Sequence, residues 1–212
     1  MLFSAFNTCQ NLASVVLEED GLGSFGFYTL AALYFSLAFA AFLSSALMEK
    51  IGLYKCLVIG SFFHFTFVLV NLLPALHKDY PGYQSWLVSL TFIKSMLIVS
   101  AVMNGFGAGI LWCAFGNYIS ECATEATKGY FNGLFWFFFM GSQTTGSLIG
   151  AFLLGEGFKT TYLYVILASI AIIAVFSFLF VRKPLPHKKS DAETKSDVET
   201  DITTPAKITE VN

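Results

Sequence analysis

The sequence predicts an all-α membrane protein, and its composition and its long apolar runs are the observations that predict it. Hydrophobic residues make up 56% of the 212 positions and charged residues only 12%, whereas soluble domains carry about 25% charged residues. Mean hydropathy is +0.68. Apolar runs near the roughly 20 residues that cross a bilayer as a helix recur along the chain. The lipid bilayer is therefore the first predicted partner, and the net charge of −2 gives no reason to expect nucleic acid.

About six membrane spans are predicted in residues 1–182. The first, 1–17, is short, because a helix of that length reaches only about 25 Å. The longer runs lie at 25–48, 53–76, 92–119, 129–154 and 161–181. A secretory signal peptide is the alternative for 1–17, but such peptides open with a basic region. No Lys or Arg precedes Lys50, so a shortened first span is the preferred interpretation.

Residues 183–212 are predicted to form a disordered tail, because they alternate acids and bases and contain almost no large apolar residue. Lys and Arg concentrate on the cytoplasmic side of membrane proteins. An N-terminus inside the cell puts most basic residues of the loops on that side: Lys50, Lys55, Lys128, Arg182, Lys183, Lys188 and Lys189. The N-terminus and the tail are therefore both predicted to be cytoplasmic. The kind of membrane is not indicated.

The turn between the second and third runs contains Glu49, Lys50, Gly52 and Lys55. A glycine gives the backbone the freedom that a tight turn needs, and an acid is favoured near the N-terminus of the next helix. The same turn resembles the signature G-x-x-x-[DE]-[RK]-x-G-[RK] of the major facilitator transporters. Glu49, Lys50 and Gly52 match that signature in place, Ser45 replaces its glycine, and Lys55 comes two residues late.

Two further regions resemble the Unc-ninety-three family of facilitator-like proteins. Phe6 to Leu12 with Glu19 to Gly23 is similar to its first span and loop. Gly105 to Trp112 with Gly116 to Glu121 is similar to its fourth span. Asn132 to Trp136 with Ser142, Gln143, Gly146 and Gly150 is similar to its fifth span. The resemblance covers 1–182 and implies one six-helix half of a major-facilitator-like bundle of twelve spans. A half-size protein that pairs with a second six-helix half and a truncated fragment would both have this sequence.

Small residues in the fifth predicted run indicate helix packing. Ser142, Gly146 and Gly150 lie at i, i+4 and i+8 and therefore on one helix face, where small side chains let membrane helices approach closely. Gly105, Gly107 and Gly109 imitate part of a nucleotide-binding loop, but that loop must follow a strand. They lie inside a predicted span, so no nucleotide or other cofactor is expected.

Polar side chains inside spans are the candidate functional residues, since hydrocarbon makes them costly. We hypothesise that five amides face a shared central cavity: Asn7, Gln10, Asn11, Asn104 and Gln143. Hydrogen bonds between helices that only hold the bundle together are the alternative. No catalytic grouping of side chains and no clustered metal ligands are found in the sequence, so neither enzymatic activity nor a metal site is expected.

The Unc-ninety-three resemblance implies an accessory or regulatory subunit of an ion channel or of another membrane protein. The competing function is a facilitator-type transporter of a small solute or ion, working with a second half. A nonfunctional truncated product is a third possibility. Coupled pumps usually use acidic residues at membrane depth, and none is found in the predicted spans, which favours the accessory role. The sequence identifies no substrate, ion or partner.

Overall fold

A computed structural model describes residues 1–82 and 86–182 of the chain; the predicted tail, 183–212, lies outside these residues. The described residues are helical almost throughout and include no β-strand. A π-helical turn covers Glu18–Leu22 and a 3₁₀ turn covers Trp86–Val88. The α-helices are α1 (Leu2–Leu17), α2 (Phe25–Ile51), α3 (Leu53–Val70), α4 (Leu72–Asp79), α5 (Leu90–Cys122), α6 (Lys128–Gly155) and α7 (Thr160–Leu179).

Five segments are long and apolar enough to cross a membrane: α2, α3 together with α4, α5, α6 and α7. Helix α1 has 16 residues and packs among these five segments. The described part of the bundle therefore consists of α1 followed by five longer helical segments. The prediction of an all-α, multi-pass membrane protein is confirmed. Both ends of each predicted run lie within three residues of a helix boundary, once α3 and α4 are taken together.

The third run is broken where the sequence analysis expects a continuous span. Helix α3 ends at Val70 and α4 begins at Leu72, with Asn71 between them. Pro74 explains the break, because its ring clashes with the carbonyl four residues earlier and it has no N–H to donate. The Asn71 side chain donates to the Phe67 carbonyl oxygen at 2.9 Å, which also accepts from the Asn71 backbone N–H at 3.2 Å.

The bundle has two ends, which we call lower and upper. The start of α1, the α2–α3 turn, the α5–α6 loop and the end of α7 lie at the lower end. There the Tyr54 hydroxyl of α3 lies 3.5 Å from Glu121 of α5, and the Tyr118 hydroxyl of α5 donates to the Arg182 carbonyl oxygen. At the upper end lie the α1–α2 connection, α4 and the α6–α7 loop. Lys78 lies 3.7 Å from Glu19 there.

Helix α5 is packed against both α2 and α3, and glycine makes both contacts close. A Cβ on Gly109 would lie 2.8 Å from the Cβ of Ala40 in α2, and one on Gly60 would lie 2.8 Å from the Gly107 carbonyl oxygen. The buried face of α2 is nearly free of large side chains; it consists of Gly26, Thr29, Leu33, Ser36, Ala40 and Ser44. Van der Waals packing of small residues therefore holds these three helices together.

Helix α6 is the least buried of the spans, and its seam with α1 is narrow. Gly146 and Gly150 are its only buried residues among those described. Gly146 lies against Ser4 and Thr8 of α1, and a Cβ on Gly150 would lie 3.0 Å from the Thr8 methyl group. Thr8 donates to the Ser4 carbonyl oxygen at 2.7 Å, so this polar group presents no free donor to the seam.

Candidate functional site

Two of the five predicted cavity residues are buried in the packed interior without a hydrogen-bond partner for part of their side chain. Asn104 of α5 is 0% exposed, and both its amide nitrogen and its amide oxygen lack a partner. Asn7 of α1 is 8% exposed, and its amide nitrogen lacks a partner. An unsatisfied buried polar group costs about 1–3 kcal/mol. Each such group therefore requires a functional or structural explanation.

His64 of α3 belongs to the same interior, and its hydrogen bonds define its tautomer. Its Nδ1 atom lies 2.9 Å from the Gly60 carbonyl oxygen, which can only accept, so Nδ1 carries the proton. Nε2 then presents a lone pair, and it has no partner. The rings of Phe3 and Phe6 lie against the imidazole with centroid distances of 5.9 and 4.6 Å. His64 is not among the five residues that the sequence analysis assigns to a central cavity.

The other three predicted cavity residues occupy different environments. Gln10 is half-buried and donates from its amide to the Tyr34 hydroxyl of α2. Asn11 is exposed, and Gln143 is half-buried on α6. The two cavities described below have none of the five amides among their lining residues. A shared central cavity therefore stays a prediction, and the Gln10–Tyr34 bond is of the interhelical kind that the alternative expects.

A predominantly apolar cavity at the lower end is a chamber that sequence analysis does not predict. Its volume is about 440 Å³, within the range of about 300–1,000 Å³ typical of small-molecule sites. We call it the phenylalanine chamber. Its walls come from α1, α5, α6 and α7 and include Phe3, Phe115, Phe131, Phe135, Phe138, Phe139 and Phe178. The repeated phenylalanines of α6 are a sequence signal for it, but the convergence of four helices is not visible locally.

Two serines are the polar side chains of the phenylalanine chamber. Ser177 of α7 donates to the Ile173 carbonyl oxygen at 2.9 Å, and Ser142 of α6 donates to the Phe139 carbonyl oxygen at 2.7 Å. Both hydroxyl protons are therefore used within their own helices. Ser142, predicted as a packing residue with Gly146 and Gly150, lies at the chamber wall, whereas the two glycines lie against α1.

The facilitator-like turn is tight, as the motif requires. Helix α2 ends at Ile51 and α3 begins at Leu53, with Gly52 at φ +91° and ψ +148°, a conformation that is essentially restricted to glycine. Glu49 lines a cavity of about 330 Å³ together with Glu121 of α5. The Tyr54 hydroxyl, 3.5 Å from Glu121, links α3 to α5 there.

Lys50 and Lys55 lie on either side of this turn, and both are exposed. Lys50 is in the last turn of α2, where a cation is favoured by the helix dipole. The turn therefore places two basic side chains at the lower end of the bundle.

The upper end is held by a carboxylate that caps a helix from a distant part of the chain. Asp79 Oδ2 accepts from the Thr161 backbone N–H at 2.8 Å and from the Thr161 hydroxyl at 2.7 Å. The first N–H groups of a helix have no partner within it, and an acid is favoured at that end. Lys159 lies 4.0 Å from the centre of the Tyr80 ring. This end of α4 is thus joined to the start of α7.

No group of three or more potential metal-ligating side chains occurs in 1–82 and 86–182. Cys9, Cys56, Cys113 and Cys122 form no disulfide bond among the described residues. The Ser44 hydroxyl oxygen lies 2.9 Å from the sulfur of Cys113 across α2 and α5, so this thiol takes part in helix packing.

Comparison with known proteins shows the family of this fold. The Major Facilitator Superfamily matches residues 1–210. UNC93-like protein 3 of Arabidopsis thaliana is 28% identical, over 86% of this chain and 38% of its own length. Protein unc-93 homolog A of Bos taurus is 28% identical, over 74% of this chain and 32% of its own. The putative potassium channel regulatory protein unc-93 of Caenorhabditis elegans is 26% identical, over 72% and 20%.

The chain thus matches between 20% and 38% of the length of these curated relatives. No solved structure matches it. The helices, the tight glycine turn after α2 and the close glycine packing of α5 are the structural counterparts of the motifs that suggested the family. The Unc-93 resemblance predicted from the sequence is confirmed, and the chain belongs to the Major Facilitator Superfamily.

Proposed function

We propose that this chain is a membrane-embedded accessory or regulatory subunit that binds another membrane protein, such as an ion channel, through the outer surface of α6. One observation carries the proposal. Four large side chains form a stripe on α6 and are between 65% and 72% exposed: Tyr130, Phe137, Leu148 and Phe152. Their spacings of 7, 11 and 4 residues place them on one face of the helix.

The geometry of α6 suits binding of a further helix. The stripe lies on the face opposite Gly146 and Gly150, which pack on α1, so α6 is attached to the bundle along one side only. Lipid is as apolar as these side chains, and association in a membrane therefore depends on shape and van der Waals packing. Large aromatic side chains offer more packing surface per residue than the aliphatic side chains that lipid contact would accept equally well.

A relative supports the class of partner. The Caenorhabditis elegans protein that is 26% identical is named a putative potassium channel regulatory protein. The proposal transfers only the kind of partner, a channel or another membrane protein, and assigns this chain a non-catalytic role. A second six-helix half is the alternative occupant of the α6 stripe.

Photocrosslinking in intact membranes tests the proposal. A benzoylphenylalanine at Phe137 should crosslink to a channel subunit, and one at Phe176 is the matched control, because Phe176 is also exposed, at 57%, but lies on α7. The expected result is a crosslink to a channel at Phe137 alone, together with a changed channel current when Phe137→Ala replaces the native chain. Equal crosslinking at both positions, or to lipid only, contradicts the proposal.

Transport of a small solute or ion is the second candidate, and the superfamily match to 1–210 favours it. The unpartnered amide of Asn104 and the lone pair of His64 are polar groups that a solute could use. Purified chain in sealed vesicles discriminates the two functions. Solute accumulation above that of empty vesicles supports transport, whereas channel modulation without accumulation supports the accessory role.

We propose further that the lower end of the bundle faces the cytoplasm. It carries Lys50, Lys55, Lys128 and Arg182, whereas acidic Glu18 and Glu19 lie at the upper end, which agrees with the bias of basic residues toward the inside. Labelling with a membrane-impermeant thiol reagent, in a chain whose four cysteines are replaced, tests this. In intact cells Glu156→Cys should label and Glu125→Cys should not; the reverse pattern contradicts the orientation.

A further inference from the structure

We propose that the phenylalanine chamber binds one acyl chain of an anionic phospholipid, whose phosphate is held by basic residues at the lower end of the bundle. This goes beyond the accessory role, since it concerns a different face of α6. The chamber is lined by Phe131, Phe135 and Phe138, whereas the proposed partner surface carries Tyr130 and Phe137.

The lining of the chamber selects a hydrocarbon ligand. Ser142 and Ser177 contribute hydroxyls, but both already donate to carbonyl oxygens of their own helices. Met1, Leu2, Leu134, Ala174 and Val181 complete the wall with the seven phenylalanines. A water molecule needs two to four polar partners to occupy a cavity favourably. In a bilayer, the abundant apolar molecule that reaches a side opening of this kind is the lipid chain.

The depth of the chamber places its mouth at the level of the lipid headgroups. Its wall includes Leu2 and Phe3 at the start of α1 and Val181 after the end of α7. Phe131, also in the wall, lies one helical turn after Lys128, where α6 begins. A chain inserted here therefore ends near the membrane surface. A neutral ligand such as a sterol would also fit an apolar chamber. The charges at the mouth of the chamber therefore distinguish an anionic phospholipid from a sterol.

Two cations lie at this mouth. Arg182 is exposed and directly follows Val181 of the wall, and Lys128 has a half-exposed side chain. Lys128 also lies 3.7 Å from Glu125, whose side chain is 84% exposed, and such an exposed pair is weak. Basic residues beside a hydrophobic site between membrane helices bind lipid phosphates. The combination of an apolar chamber and two flanking cations therefore fits a phospholipid with a net negative charge.

An internal fluorophore allows a direct test. The Trp112 ring lies 5.5 Å from the ring of Phe3 and 5.1 Å from that of Phe139, and both belong to the chamber wall. A chain with Trp86→Phe and Trp136→Phe leaves Trp112 as the single tryptophan. It is reconstituted into bilayers that contain a low mole fraction of phospholipid brominated in its acyl chain, either anionic or zwitterionic.

The expected result is stronger quenching of Trp112 by the anionic brominated lipid at equal mole fraction. Ser177→Phe fills the chamber and should abolish the excess quenching. Ser169→Phe is the matched control, because Ser169 is an exposed serine of the same helix with the same bond to a carbonyl four residues earlier. Lys128→Gln and Arg182→Gln should each weaken the preference for the anionic lipid about fivefold.

Three results overturn the proposal. Equal quenching by anionic and zwitterionic lipids removes the headgroup site, and a Ser177→Phe chain that is quenched like the Ser169→Phe chain removes the chamber site. Loss of quenching on addition of sterol, with no dependence on headgroup charge, assigns the chamber to a sterol. If Ser177→Phe does not fold, Ser142→Phe fills the chamber from α6 instead, and size-exclusion elution in detergent monitors folding for both.

Discussion

The close contact between α5 and α2 makes Gly105 the position where the smallest possible enlargement should cost most. A Cβ added there would lie 2.7 Å from the Cβ of Ser36 and 2.9 Å from the backbone nitrogen of Leu37, and would also collide with the Leu33 carbonyl oxygen. Two of these three groups are backbone, so no rotamer change relieves the contact. Gly105→Ala must push α2 away from α5.

Gly116 supplies the matched control on the same helix. A Cβ there has no neighbour within 4 Å, so Gly116→Ala changes only the helix propensity, which favours alanine by about 1 kcal/mol. Gly105→Ala has the same gain but adds overpacking, which typically costs about 1–3 kcal/mol. The difference between the two variants should therefore be about 1–3 kcal/mol in the free energy of unfolding.

Thermal unfolding in detergent measures this difference. For a chain of this size, 1 kcal/mol shifts Tm by about 2–4 °C, so Gly105→Ala should unfold about 2–12 °C below Gly116→Ala. Equal Tm values for the two alanine variants would refute the reasoning, because the α2–α5 contact would then be loose enough to accept a methyl group.

Three further substitutions test other parts of the structure. Asp79→Ala removes the oxygen that accepts both Thr161 hydrogen bonds and should lower the free energy of unfolding by about 1–2 kcal/mol, measured by thermal unfolding. Asp79→Asn keeps an acceptor and should lose less. Asn104→Leu removes a buried amide without partners and should raise Tm by an amount that corresponds to about 1–3 kcal/mol. If channel modulation or solute transport is lost while stability rises, the amide is functional. Gly52→Ala should cost about 1–3 kcal/mol, because φ +91° is strained for alanine, whereas Gly82→Ala, in open space, should change Tm little.

Each of these outcomes can fail independently. Asp79→Ala with native Tm would show that α4 and α7 are joined by packing alone. A destabilised Asn104→Leu chain would show that the amide has a partner in the folded protein, and an unchanged Gly52→Ala chain would show that the α2–α3 turn can relax.

The positions of the helices were predictable from the sequence because they depend on the local length of apolar runs. The predicted runs at 25–48 and 129–154 lie within α2 and α6 and miss their ends by three residues at most. The break at Asn71 was missed, although Pro74 was visible, because a proline in a membrane span can also be accommodated as a mild kink. Amino-acid composition predicted that the chain is a membrane protein, and the local apolar runs predicted where its helices lie.

The interior could be predicted only in part, because it depends on how whole helices are rotated against each other. Spacing alone places Asn7, Gln10 and Asn11 on one stripe of α1, yet Asn7 is buried and Asn11 is exposed. The phenylalanine chamber was missed for the same reason. Phe3 and Phe178 are 175 positions apart in the sequence and meet only through the packing of α1 and α7.

The accessory role is tested most directly by the current of a potassium channel co-expressed with this chain in oocytes. The account predicts that the chain changes the whole-cell current of its partner channel. Phe137→Ala should remove this effect, whereas Phe176→Ala, whose ring is also exposed but lies on another helix, should preserve it. A current that is unchanged for every channel tested, from a chain that drives solute accumulation in vesicles, would contradict the account and identify a transporter.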